Sequence, residues 1–145
     1  MSRTEEVQIP QLVRRWNDLE RLEMESKPAN FVDLVKNISL SCRKFCWLMV
    51  SGSVRGEDAL AIVRYLPKLK KLELKNSYLA KKELMTLVNG CRELEILNLK
   101  DCVGFDGEDE EINGKVSHIK QFRKEGCRLY YEYDEYEFCL YDYAL

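Results

Sequence analysis

From Ile9 to Leu99 the chain repeats itself four times at a period near 25 residues, and this repeat limits what it can fold into. The leading apolar position of each copy is Leu19, Phe45, Leu69 and Leu94, at separations of 26, 24 and 25 residues. Three residues on stand Leu22, Leu48, Leu72 and Leu97, and two further on Met24, Val50, Leu74 and Leu99. Three residues before the leading position are Trp16, Cys42, Leu66 and Cys91; seven before, Leu12, Ile38, Ile62 and Leu87; ten before, Ile9, Val35, Ala59 and Leu84. All 24 slots are apolar, and with 46% hydrophobic residues a fixed choice of slots would do this about once in a hundred million trials.

The hydrophobic period changes inside each copy. Slots at minus ten, minus seven and minus three are spaced like one helix face, whereas those at plus three and plus five alternate like a short strand. Each unit therefore reads helix, turn, strand. One such unit cannot close a core, because its helix and its strand each have one apolar side and nothing to bury it against. Stacking supplies the missing surface, with strands joining edge to edge into a parallel concave sheet and helices packing on the convex side. The fold class expected is α/β, a leucine-rich-repeat solenoid arc of the ribonuclease-inhibitor type with about four repeats. Strands are predicted near Leu22, Leu48, Leu72 and Leu97, and helices over Phe31 to Ser41, Glu57 to Tyr65 and Ala80 to Asn89.

Local signals agree with this phase. Asn30 precedes Phe31 as a helix N-cap, and Asp33 puts a carboxylate in the first turn, where backbone N–H groups lack partners. Pro67 and Gly90 fall where helices should stop, Pro67 because it cannot continue one and Gly90 as a left-handed C-cap. Length differences between copies fall in outer turns such as Glu25 to Asn30 and Ser51 to Glu57, where insertions cost little.

At 145 residues the chain reads as one domain plus a tail. We divide it into an N-terminal extension at 1–8, the repeat domain at 9–105, an acidic loop at 106–115, an amphipathic capping helix at 116–126 and a Tyr-rich acidic tail at 127–145. No run of 18 apolar residues occurs and the first residues are charged, so a soluble protein of the cytoplasm or nucleus is expected, with no membrane partner. Of six cysteines, Cys42 and Cys91 fill core slots, which favours reduced thiols over disulfides. The net charge of -2 hides an asymmetry. Residues 1–105 hold 18 basic against 14 acidic side chains, net +4, and residues 106–145 hold 5 against 11, net -6. The basic excess is too small, and the tail too acidic, for nucleic-acid binding.

Enzyme motifs are absent: there is no Gly-rich phosphate loop and no Gly-x-Ser-x-Gly, and the one histidine is His118. A pair of His118 with Cys127 lacks an evident orienting group. A zinc site from His118, Cys127 and Cys139 lacks any C-x-x-C. The expectation is a protein that is not an enzyme, with no cofactor and no metal. The tyrosine run could carry phosphate or sulfate, but solvated low-complexity tail is the simpler reading.

Two strings narrow the class. Tyr65-Leu66-Pro67-Lys68-Leu69-Lys70-Lys71-Leu72-Glu73-Leu74 and Gly90-Cys91-Arg92-Glu93-Leu94-Glu95-Ile96-Leu97-Asn98-Leu99-Lys100-Asp101-Cys102 resemble the cysteine-containing repeat of F-box/LRR proteins, where one Cys closes the helix and another Cys or Ser follows the strand. That second slot reads Lys27, Ser53, Ser77 and Cys102, so the first copy departs from the pattern. With the acidic loop and the Tyr-rich end, the chain is similar to the C-terminal part of plant F-box/LRR-repeat proteins. The resemblance implies a substrate receptor of a cullin-RING (SCF-type) ubiquitin ligase, with the arc holding the target. The family's F-box, which docks on the ligase adaptor, takes about 40 to 50 residues, and only eight precede Ile9. Adaptor binding is therefore expected only of a longer form, and a free-standing repeat scaffold, or a competitor of a full-length relative, is the alternative.

In this geometry the residues between the buried leucines point out from the concave sheet. They are Arg21, Glu23 and Glu25; Trp47, Met49 and Ser51; Lys71, Glu73 and Lys75; Ile96, Asn98 and Lys100. The partner expected there is a protein target, and its candidate contacts are Trp47, Met49, Lys71, Glu73, Lys75, Ile96, Asn98 and Lys100. Trp47 reads equally well as an interface anchor and as a structural residue. The lysines favour an acidic ligand or are simply a solvated face of mixed sign.

Overall fold

The structure is a computed structural model and describes residues 17–130. Strand β1 (Arg21–Met24) leads to helix α1 (Phe31–Ser41), then β2 (Trp47–Val50) and the short β3 (Ser53–Val54). Helix α2 (Gly56–Tyr65), β4 (Lys71–Glu73), β5 (Tyr78–Leu79), α3 (Lys81–Gly90) and β6 (Ile96–Asn98) follow, and α4 (Glu110–Lys115) and β7 (Gln121–Arg123) close the described chain. Five strands form one sheet in the order β1-β2-β4-β6-β7, each pair parallel, while β3 and β5 make a second, two-stranded parallel ladder. The helices pack in succession, α1 on α2, α2 on α3 and α3 on α4. This mixed α/β arrangement on a parallel sheet fits a leucine-rich-repeat-like arc.

The slot pattern explains the packing. Leu22, Leu48, Leu72, Leu97 and Phe122 stand in one in-register row across the sheet. Leu48, Leu72 and Leu97 are fully buried against Val35, Ile38, Ile62, Leu84 and Leu87 of the helices. Each fully buried leucine contributes about 1.5–3 kcal/mol relative to an exposed one. Turn geometry repeats as faithfully. The residue in the minus-three slot closes each helix, as Cys42, Leu66, Cys91 and Val116 N–H donate to Ile38, Ile62, Leu87 and Ile112 C=O at 2.8, 2.8, 2.8 and 3.0 Å. The leading residue then donates back to it: Phe45 to Cys42, Leu69 to Leu66, Leu94 to Cys91, Ile119 to Val116.

Those last members mark a fifth copy, where the sequence predicts an acidic loop and a capping helix. Residues 116–126 are not a capping helix: Gln121–Arg123 is the fifth strand of the sheet. Val116, Ile119 and Phe122 have helical spacing, but they are the minus-three, leading and plus-three slots continued by 25 residues, and Ile112 is the minus-seven slot. Two polar substitutions conceal the copy, Asp109 at minus ten and Lys124 at plus five. Nor are 106–115 all loop. Asp109 caps α4 by accepting from Ile112 N–H at 3.1 Å, and Lys81 bridges Asp109 and Glu111 at 2.9 Å each. A run of acids is well placed in a first helical turn, where the dipole and the unpaired N–H groups favour negative charge. The helix assigned to Leu12 and Trp16 in the first copy, and the tail from 131 on, lie outside the described residues.

Three local expectations are corrected or sharpened. Asn30 occupies the N-cap position and its C=O accepts from Leu34 N–H at 3.0 Å, but its side chain makes no capping bond. Gly90 is not a left-handed cap: it is the last residue of α3, and Cys91 caps the helix. A Cβ at Gly90 would meet Val63 Cγ1 at 2.2 Å, so glycine is needed for close approach of α2 and α3. Left-handed backbone occurs instead four residues after Leu48, Leu72, Leu97 and Phe122, at Gly52, Asn76, Asp101 and Gly126, and again at Gly104, residue types that tolerate positive φ.

The slot after the strand is also accounted for. Cys102 Sγ donates to Leu74 C=O at 2.9 Å, and Cys127 Sγ, its counterpart in the fifth copy, to Leu99 C=O at 2.7 Å. Ser77 Oγ accepts from Gly52 N–H at 3.1 Å. Lys27, the departure from the pattern, reaches forward to the helix of the third copy instead and pairs with the buried Asp58 at 2.5 Å, whose carboxylate also accepts from Arg55 N–H at 2.9 Å. Cys42, Cys46, Cys91, Cys102 and Cys127 are all free thiols.

Candidate functional site

Strand alternation puts Trp47, Met49, Lys71, Glu73, Ile96 and Asn98 on the sheet face opposite the helices. Two in-register rows cross that face: Arg21, Trp47, Lys71, Ile96 and Gln121, then Glu23, Met49, Glu73, Asn98 and Arg123. Lys75 and Lys100 lie in the exposed turns that follow their strands. Six of the eight residues singled out from the sequence therefore share one face, with Lys75 and Lys100 at its edge, and the fifth strand adds Gln121 and Arg123 to it.

Trp47 is half-buried and firmly held. Its Nε1–H donates to Glu73 Oε2 at 2.7 Å. A cation from each neighbouring strand lies over its ring, Arg21 at 4.6 Å and Lys71 at 4.4 Å from the centroid. Glu73 Oε1 accepts a second bond, from Asn98 Nδ2 at 3.2 Å, and Asn98 Oδ1 accepts from Lys100 N–H at 3.1 Å. Asn98 is only 9% exposed, a buried polar group that is fully engaged. Three strands are thus tied by one chain of side-chain bonds, Trp47 to Glu73 to Asn98, whose members lose little further freedom when a partner covers them. Met49 and Ile96 add half-buried apolar surface beside it.

Ion pairs border the face. Lys70 bonds Glu93 at 2.8 Å and holds its carboxyl below the usual range, and Lys120 does the same to Glu95 at 3.1 Å. His118 lies elsewhere, in an open hollow on the helix side with Val88, Asn89, Arg92, Gly114 and Lys115. Among the described residues no group of three His, Cys, Asp or Glu side chains is placed to hold a metal ion, and no helix is long and apolar enough to cross a membrane.

A repeated strand and helix unit with a parallel, side-chain-rich sheet face is the architecture of an interaction module. Over 98 residues the chain is 32% identical to the F-box/LRR-repeat protein At3g48880 of Arabidopsis thaliana, a stretch that takes in 68% of this chain and 31% of that protein. The chain thus matches about a third of that relative's length. No family model and no solved structure matches it. The likeness supports a leucine-rich-repeat protein with a protein-interaction role.

Proposed function

We propose that the chain is the target-holding leucine-rich-repeat part of an F-box protein, and that it presents a protein to a cullin-RING (SCF-type) ubiquitin ligase. It works by binding rather than by catalysis. Its repeats run from residue 9 through the fifth copy, and the target lies on the concave face over Trp47, Met49, Lys71, Glu73, Lys75, Ile96, Asn98 and Lys100. The Trp47–Glu73–Asn98 chain carries this reading. It is a pre-ordered polar network with aromatic and apolar surface beside it, set at the centre of a five-stranded face, which is where interfaces concentrate their energy. The likeness to an F-box/LRR-repeat protein supports the ligase part.

The test is immunoprecipitation of the full-length gene product from its own cells under proteasome inhibition. Adaptor, cullin and target should be recovered together, and Trp47→Ala should lose the target while keeping the adaptor. A target recovered with no adaptor would make the chain a scaffold or a competitor instead.

A further inference from the structure

The basic side chains of the concave face are not alike in their partners. Arg21 has Glu23 at 3.8 Å. Lys71, Lys75, Lys100 and Arg123 have no carboxylate within ion-pair distance among the described residues; Lys71 lies over the Trp47 ring and only adds, more weakly, to the field that Lys120 sets on Glu95. They are neighbours. Lys71 opens the third strand of the sheet and Lys75 lies in the turn after it, Lys100 in the turn after the fourth, and Arg123 pairs in register with Asn98 on the fifth. The acids nearest them are engaged: Glu73 by Trp47 and Asn98, Glu95 by Lys120. Glu125, two residues past the fifth strand, subtracts one charge, and at unit one Glu23 on the strand and Glu25 just past it outnumber Arg21, so the sheet face carries a net positive charge over units three to five and a net negative one at unit one.

Resting on the proposed concave-face function, we infer that the bound segment of the target is an acidic peptide, laid over units three to five with its carboxylates on Lys71, Lys75, Lys100 and Arg123. Charge complementarity selects this occupant. Lys75 and Lys100 stand side by side on adjacent strands, roughly 5 Å apart, with Arg123 on the next strand and Lys71 at the other end of the third, so the cations repel; a partner's carboxylates remove that repulsion, whereas a basic or neutral segment leaves it in place. Trp47 and Ile96, at the edge of the cluster, supply apolar contact beside the charges.

The test is panning of a random-peptide phage library on the folded full chain, with each recovered peptide measured by fluorescence anisotropy. The expected peptides are enriched in Asp and Glu, and their affinity falls about tenfold or more in Lys75→Glu with Lys100→Glu, in Arg123→Glu, and on raising salt. These three side chains are exposed, so the variants keep the fold. Neutral or basic peptides that Trp47→Ala abolishes would overturn the acidic partner and leave the concave-face function standing. Acidic peptides indifferent to the charge reversals would also overturn it. Peptides indifferent to both Trp47→Ala and the reversals, or no enriched peptide at all, would remove the site itself.

Discussion

Trp47 joins two roles that its sequence position leaves open. Its N–H orders Glu73 and through it Asn98, yet the ring remains partly accessible. Trp47→Ala is therefore expected to weaken the target complex by about 2 kcal/mol or more. A purely structural tryptophan would instead cost the fold about 3–5 kcal/mol, as for a buried aromatic. Urea midpoint and target affinity of the same variant separate the two, with Leu72→Ala as the core control that destabilises in either case. Gly90 is a residue whose reason lies wholly in a neighbour. Gly90→Ala should destabilise by about 1–3 kcal/mol through overpacking, and adding Val63→Ala should recover part of that loss because Val63 owns the clashing atoms. An additive double mutant in urea titration would reject this explanation. Thiols give a third prediction. Burial pushes Cys91 up to about 11, while the neighbouring Cys102 thiol holds half-buried Cys127 below its ordinary value. The thiolate is the reactive form, so mildly alkaline iodoacetamide should label Cys127 well before Cys91 by peptide mass spectrometry. Labelling in the opposite order would contradict the geometry. Of the site, the side chains facing out were legible, since a strand alternates. Their bonds to one another were not: a sequence shows that Trp47, Glu73 and Asn98 share a face, but not which rotamers bring Nε1 to a carboxylate.

Among the elements, strands β1, β2, β4 and β6 and three helices were legible because the slots of each copy agree, and they lie within a residue of where the spacing puts them. The fifth copy was not, because two of its slots are polar and the remaining Val116, Ile119 and Phe122 happen to match a helical period. The ordinal 25-residue step was the better guide: Cys102 to Cys127 and Leu97 to Phe122 both obey it. The acidic run was misread for a related reason. Charge density signals solvent exposure, which holds, but not an absence of helix, and here it caps α4. Asp109 is held below the usual carboxylate range by Lys81 and by Ile112 N–H. Its folded value is lower than its unfolded one, so its contribution is present above the ordinary aspartate value and is lost as pH falls through the lowered one. Asp109→Ala should accordingly reduce the urea midpoint at neutral pH, and the curves of the two proteins should converge in acid. A constant difference down to low pH would show that Asp109 acts by packing.

At the scale of the whole molecule, each unit touches chiefly the units before and after it, so the geometry of one interface is copied into the next. Adjacent strands in a sheet stand about 4.8 Å apart, whereas packed helices ordinarily stand 8–10 Å apart, and this difference between the two sides is what bends a stack of such units. Gly90 lets α2 and α3 come closer than side chains usually allow, which opens the bend locally at units three and four. The side chains across the sheet from it are Lys71, Glu73, Ile96 and Asn98. A methyl group added on the helix side would drive the helices apart while the strand hydrogen bonds hold their spacing, and would tip those four side chains toward one another. One glycine between two helices thus fixes how wide the opposite face stands open.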